Sequence, residues 1–277
     1  MSEDFEGSVR VNGVRLHARV QGQADGPVVA FVNSLATDHR IWDQQIPALD
    51  TKYRVIRYDA RGHGRSEAPA GPYAIDMLVD DLFALLDHFG CARAHVVGVS
   101  LGGLTAMAAA LRHSPTVAGI VPCACRADMP PEFAAGIDSR NALVREKGLD
   151  AIAETMVERW FPASIRAAGP AYVETIRQMI RATSVAGFIG SAEAVKTSGI
   201  RPRVHAIAVP ALFVIGDQDA AFPVELMRAM QEEVRGSELA VIEGAGHLVN
   251  VDQPVAFNAA LTAFLDRQTK QRMDRHG

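Results

Sequence analysis

Residues 94–104 read AHVVGVSLGGL, and three of the first six are valine. A short, apolar, Val-rich run of this kind is the pattern of a strand covered on both faces. The small-residue stretch LGGLTAMAAALRHS that follows reads as a helix packed closely on a sheet. Gly98-Val-Ser100-Leu-Gly102 therefore falls at a strand-to-helix junction, the setting of a G-x-S-x-G nucleophile elbow. Side chains at Gly98 and Gly102 would collide with the neighbouring strand and helix. Glycine there permits a sharp turn that pushes a strained serine out at the top of the sheet, beside the positive end of a helix.

Working outward, other short β-rich runs alternate with helical patterns, which implies a mostly parallel sheet wrapped by helices. SVRVNGVRLHARV carries a turn signal at Asn12-Gly13 and reads as a starting hairpin. The remaining strand runs are PVVAFVN (27–33), YRVIRYD (53–59), VAGIVPC (117–123), ALFVIG (211–216) and ELAVIE (238–243). Ile75, Leu78, Val79, Leu82, Leu85, Leu86 and Phe89 recur at helical spacing, and Gly90 suits the position just past that helix. The alternation stops over residues 122–209, where helical patterns occur without a convincing strand. The expected architecture is an α/β fold with an eight-stranded sheet and helices on both faces. Residues 1–121 and 210–277 form its core domain, and 122–209 form a helical cap over the sheet edge where such folds bind ligands.

A serine hydroxyl is a weak nucleophile until a base takes its proton, so Ser100 requires a histidine and an orienting carboxylate. Asp219, in VIGDQDAAFP, follows one strand run, and His247, in IEGAGHLVNVDQP, lies on a Gly-rich loop past the last. The chain order Ser, Asp, His is that of one serine-hydrolase fold and not of the two others. Asp217 competes with Asp219, which has the better reach toward His247. Two backbone N–H donors are also needed for a tetrahedral oxyanion. Leu101 supplies one, and Leu35, on the loop after VVAFVN, is the expected second. YDARGHGRS (58–66) has the look of a phosphate loop but lacks G-x-x-x-x-G-K-[ST], and its glycines are spaced for a tight turn. His17, His88, His95, His113, His205 and His276 show no partner pattern; His39 and His63 lie on loops nearer the sheet's upper edge.

Composition narrows the function. A net charge of −4 with no run of like charges gives no footprint for nucleic acid or an anionic membrane. The polar start MSEDFEGSVR is unlike a signal peptide, and no window is apolar enough for a membrane span, so a cytoplasmic protein acting on a small molecule is expected. Cys91, Cys123 and Cys125 cannot all pair and lack zinc-site spacing, so they read as buried reduced thiols. Oligomeric state is left open.

These features resemble the α/β-hydrolase superfamily over nearly the whole chain. VNSLATDHRIWDQQIPAL, RVIRYDARGHGRSEAPAGPYAIDMLVDDLFALLDHFG, LVREKGLDAIAETMVERWF and GAGHLVNVDQP together are similar to 3-oxoadipate enol-lactonases. The pattern departs from that group at Ala36, at Leu101 and in GDQDAAFP. The resemblance implies a serine hydrolase that opens a small enol-lactone during aromatic-compound degradation through an acyl-enzyme on Ser100, with no metal or other cofactor. It implies that Trp42 and Trp160 line the substrate pocket and that Arg126, Arg140 or His39 meets the substrate carboxylate, while Met129, Met156 and Met179 read as helix packing. A broad carboxylesterase, another lactonase and a carbon–carbon bond hydrolase would use the same triad. A ligand receptor on this scaffold is a rival of a different class. Serine at position 100 argues against haloalkane dehalogenases and epoxide hydrolases, which need aspartate there.

Overall fold

A computed structural model describes residues 4–112 and 115–276, with side chains to 270. Its strands are β1 (Phe5–Val11), β2 (Val14–Gly22), β3 (Val28–Val32), β4 (Arg54–Tyr58), β5 (Ala94–Val99), β6 (Val117–Cys123), β7 (Leu212–Gly216) and β8 (Glu238–Ile242). They form one eight-stranded sheet in the order β1-β2-β4-β3-β5-β6-β7-β8. The hairpin β1–β2 and the β2–β4 pair are antiparallel, and every later pairing is parallel. Asn12 and Gly13 turn that hairpin with φ of 46° and 74°, the positive values a two-residue turn requires.

The helices are α1 (Ile75–His88), α2 (Leu101–Leu111), α3 (Pro131–Lys147), α4 (Asp150–Trp160), α5 (Ala163–Ala168), α6 (Ala171–Ala182), α7 (Val185–Lys196), α8 (Val224–Glu233), α9 (Val249–Asp252) and α10 (Pro254–His276). 3₁₀ segments cover His39–Ala48 and Arg201–Ala206. Helices α1 and α2 pack on each other, while the first 3₁₀ segment packs with α9 and α10. Trp42 joins that second layer to the sheet, its ring 4.5 Å from Phe31 and 6.2 Å from Phe257. No helix among the described residues is long and apolar enough to cross a membrane.

The interval between β6 and β7 holds α3 to α7 and no strand among the described residues. Strand β6 runs to Cys123, two residues into the expected 122–209 segment. Close glycine contacts dock this helical segment on the core. A Cβ on Gly187 of α7 would stand 2.0 Å from the Gly62 carbonyl oxygen, and one on Gly190 would stand 2.9 Å from the Tyr73 ring. The Tyr73 amide also donates to the Gly190 carbonyl at 3.2 Å.

Candidate active site

Strand β5 is buried along its length, and the chain turns at Ser100 into α2. Ser100 has φ 57° and ψ −110°, a left-handed conformation rare for a residue with a side chain. A Cβ on Gly98 would lie 2.2 Å from the Gly102 carbonyl carbon, and one on Gly102 would lie 2.1 Å from the Val32 carbonyl oxygen. The two glycines thus let α2 lie directly on the ends of β3 and β5. The Ser100 amide donates to the Cys123 carbonyl at 2.8 Å, tying the turn to β6.

The acid loop follows β7. Asp219 Oδ1 accepts the amides of Ala221 and Phe222 at 2.7 and 3.1 Å, and Oδ2 meets His247 Nδ1 at 3.0 Å. Asp217 is exposed and instead accepts the Gly244 amide at 2.7 Å. The structure therefore brings Asp219, and not Asp217, to His247. The histidine is buried, and its amide donates to the Trp160 carbonyl at 2.8 Å. Its ring lies between Trp160, stacked at 6.0 Å, and Phe222, edge-on at 5.4 Å. With Nδ1 facing Asp219, Nε2 is the ring nitrogen left for proton transfer. No hydrogen bond joins Ser100 Oγ to His247 among the described residues, and catalytic contacts of this kind often close only around substrate.

On the other side, Leu35 sits on the loop after β3, where Ala36 has φ 58°. Neither the Leu35 nor the Leu101 amide donates to an acceptor among the described residues. Both N–H groups are thus uncommitted, as an oxyanion site needs.

Ser100, Leu35 and His247 share a cavity enclosing about 580 Å³ of empty space, its open mouth included. From the helical segment come Phe133, Ile137 and Arg140 of α3, Met156, Arg159 and Trp160 of α4, and Ala192 and Val195 of α7. Trp160 and Arg140 are thus in the wall as expected, but three other expected binding residues are not among its lining residues. Trp42 is fully buried against Phe31 and Phe257, because a large apolar ring is needed between the sheet and α10. His39 is buried, with amide and Nδ1 both on Asp59 Oδ1 at 2.8 and 2.7 Å. Arg126 pairs with Asp128 at 2.8 Å and lies 4.4 Å from the Phe133 ring centre, so it backs the aromatic wall with its charge already matched. Conversely, Met156 faces the cavity although helical spacing predicts packing alone. Phe222 and Ala221 also line it. Their place within three residues of Asp219 is the signal that could have identified them. His113 lies outside the described residues, as does the side chain of His276.

Arg140 forms no ion pair with a carboxylate among the described residues, and its Nε is buried without a partner. Burial, reinforced by the Arg159 charge, pushes it down to about 10, which leaves it cationic at neutral pH. One group among the described residues could chelate a metal: His17, His39 and Asp59, whose ligand atoms lie within 4.8 Å of one another. Asp59 already accepts three N–H contacts there, two from His39 and one from the Arg65 amide, and the Arg65 guanidinium stands 3.3 Å from His17 Nε2. The cluster is built as a hydrogen-bonded brace for the Gly-rich loop. A Cβ on Gly64 would stand 2.2 Å from Asp59 Oδ2.

Residues 27–254 match the model of the alpha/beta hydrolase fold family. The chain is 39% identical to 3-oxoadipate enol-lactonase 2 of Acinetobacter baylyi, covering 95% of this chain and 97% of that one. Among solved structures, the enol-lactonase from Burkholderia xenovorans superposes with a TM-score of 0.90 at 34% identity, over 94% of this chain and 100% of the other. A thermophilic esterase from Thermogutta terrifontis, with malate bound, superposes with a TM-score of 0.88 at 29% identity, over 96% and 99% of the two chains.

Proposed function

The chain belongs to the α/β-hydrolase fold family, and from that membership we propose that it opens a small carboxylate-bearing lactone, 3-oxoadipate enol-lactone, through an acyl-enzyme on Ser100. Ser100 Oγ attacks the lactone carbonyl while His247 Nε2 takes its proton. Asp219, on Nδ1, holds the tautomer that makes this possible and stabilises the imidazolium that forms. The carbonyl oxygen becomes an oxyanion against the Leu35 and Leu101 amides. The ring C–O bond then breaks, and the enol oxygen leaves with the proton returned by His247. Water, deprotonated by the same histidine, attacks the acyl carbon. Ser100 departs with that proton, releasing the open-chain diacid in its enol form, which tautomerises to the ketone.

Arg140 is the observation that carries the substrate choice. A cationic side chain with a buried, unpartnered Nε and no carboxylate of its own, set beside a second guanidinium, Arg159, in a wall otherwise largely apolar, costs desolvation energy unless an anion arrives to match it. The lactone's spared carboxylate is such an anion. A charge-assisted hydrogen bond of this kind is worth roughly 1.5–3 kcal/mol. Arg140→Ala should therefore raise KM on the anionic lactone about ten- to a hundredfold and leave the KM of a neutral aryl acetate within about threefold. Equal losses on both substrates would sink the carboxylate reading and favour a broad esterase; the Thermogutta relative is itself named an esterase. In this reading the helices at 122–209 act as a cap, since α3, α4 and α7 supply most of the cavity wall. We place the reaction in the cytoplasm, where the three buried, unpaired cysteines would stay reduced.

A further inference from the structure

The residue that begins the oxyanion loop is itself unusual. Asn33 is fully buried, and its carboxamide is saturated. Nδ2 donates to the Ser34 carbonyl at 2.9 Å and to the Thr37 carbonyl at 2.6 Å, while Oδ1 accepts the Ala60 amide at 2.9 Å. Two acceptors and one donor around it admit a single orientation of the amide. Thr37 Oγ1 donates to the same Ser34 carbonyl at 2.9 Å, and the Thr37 amide reaches it at 3.2 Å. The Ser34 carbonyl, which belongs to the peptide whose N–H is that of Leu35, is thus gripped by three donors. A peptide plane is rigid, so fixing its C=O fixes the direction of its N–H. The loop needs such a grip, because Ala36 holds φ 58°, a conformation that costs a non-glycine residue free energy and persists only when its surroundings impose it.

We propose that Asn33 is the positioning residue of the oxyanion site: its side chain, through the Ser34 and Thr37 carbonyls, sets the Ser34–Leu35 peptide with its N–H presented to the reacting carbonyl. The proposal rests on the reading of Leu35 as an oxyanion donor in the serine mechanism. Asn33 touches no substrate. It acts by deciding whether a donor is in place when charge develops, so its loss must appear in the rate of the chemical step and not in substrate affinity.

The test is Asn33→Asp. This variant keeps the size of the side chain and the acceptor for Ala60, but it offers at most one proton to the two carbonyls that Nδ2 serves, and a repelling oxygen when ionised, and so releases the Ser34–Leu35 peptide from its register. With 4-nitrophenyl acetate, kcat should fall about a hundred- to a thousandfold, the effect of losing one oxyanion donor, while KM stays within about threefold. Affinity for a trifluoromethyl ketone that adds to Ser100 should fall in parallel with kcat. Thr37→Val removes one of the three donors on the Ser34 carbonyl and should lower kcat about three- to tenfold at constant KM. A folded Asn33→Asp enzyme whose kcat and ketone affinity stay within threefold of wild type overturns the proposal, and so does a loss confined to KM. If Asn33→Asp does not fold, Thr37→Val decides: a fall in kcat at constant KM supports the proposal, and an unchanged kcat overturns it. Ser100→Ala, assayed alongside, separates the two levels. Full activity in that variant would remove the serine mechanism itself, whereas an inactive Ser100→Ala beside a fully active Asn33→Asp removes the positioning role alone.

Discussion

Ser100 holds a backbone conformation that costs on the order of 1–3 kcal/mol, and three contacts keep it there: the Cys123 carbonyl on its amide and the glycines on either side. Alanine suffers the same φ as serine. Ser100→Ala should therefore leave the melting temperature nearly unchanged while removing the hydroxyl. Its kcat is expected to drop by about 10⁴–10⁶, and activity close to wild type would end the nucleophile assignment. The acid follows the same reasoning. Asp219→Asn keeps an acceptor for Ala221 and Phe222 but can present an N–H to His247 and favour the wrong tautomer, at a cost of about 10⁴ in kcat. Asp217→Asn retains an oxygen for the Gly244 amide, and its rate should stay within about threefold. A rate assay of the two variants side by side checks the assignment, and the reverse ranking would move the acid to Asp217.

At the scale of elements, the helical segment is held to the core by backbone approaches that no side chain could bridge. Gly187→Ala is informative because two effects oppose each other. In an isolated helix, alanine would gain about 1 kcal/mol over glycine. Here its Cβ would stand 2.0 Å from the Gly62 carbonyl oxygen, so α7 would have to shift, and overpacking of this kind costs about 1–3 kcal/mol. The contact should win. Urea denaturation should show a net loss of stability, together with a raised KM, since Ala192 and Val195 on the same helix line the cavity; a gain in stability would mean that α7 is free to move. The same contrast explains what could be read from sequence. Strands β3 to β8 announce themselves as apolar runs, and Ser100, Asp219 and His247 each follow one, so their positions come from local pattern. The cavity wall does not. Whether Trp42 or Trp160 faces substrate depends on how separate helices dock, and Met156 has the spacing of a packing residue because the cavity lies beneath its apolar face. Arg126 and Arg140 are equally basic in sequence, and Asp128, two residues from Arg126, decides which one stays unmatched.

At the scale of the whole molecule, core and helical segment meet around the His247 loop, and one buried acid lies in that seam. Asp252 Oδ2 accepts the Gly246 amide at 2.7 Å, Oδ1 is buried without a partner, and the residue is 7% exposed. Burial, with the Asp219 charge as a lesser cause, pushes its carboxyl up to about 7, against 3.8 for the free group. The charge is sensed across the seam too, where Tyr172 of α6 is raised by its own burial and then by Asp252. The consequence for stability has a definite sign. Below about pH 4 the carboxyl is protonated whether the chain is folded or not, and its neutral form fits the buried site. As pH rises from about 4 to about 7, the unfolded chain releases the proton while the folded one retains it, so stability is lost through that window and the loss is complete above it. At about 1.4 kcal/mol per tenfold, the rise is worth on the order of 4 kcal/mol at most. Asp252→Asn keeps an acceptor for Gly246 and cannot ionise. Denaturant unfolding should find this variant more stable than wild type at pH 8 by about 1–3 kcal/mol, with the advantage shrinking toward zero at pH 4. A difference between the two proteins that stays constant from pH 4 to 8 would show that Asp252 is charged in the folded molecule throughout.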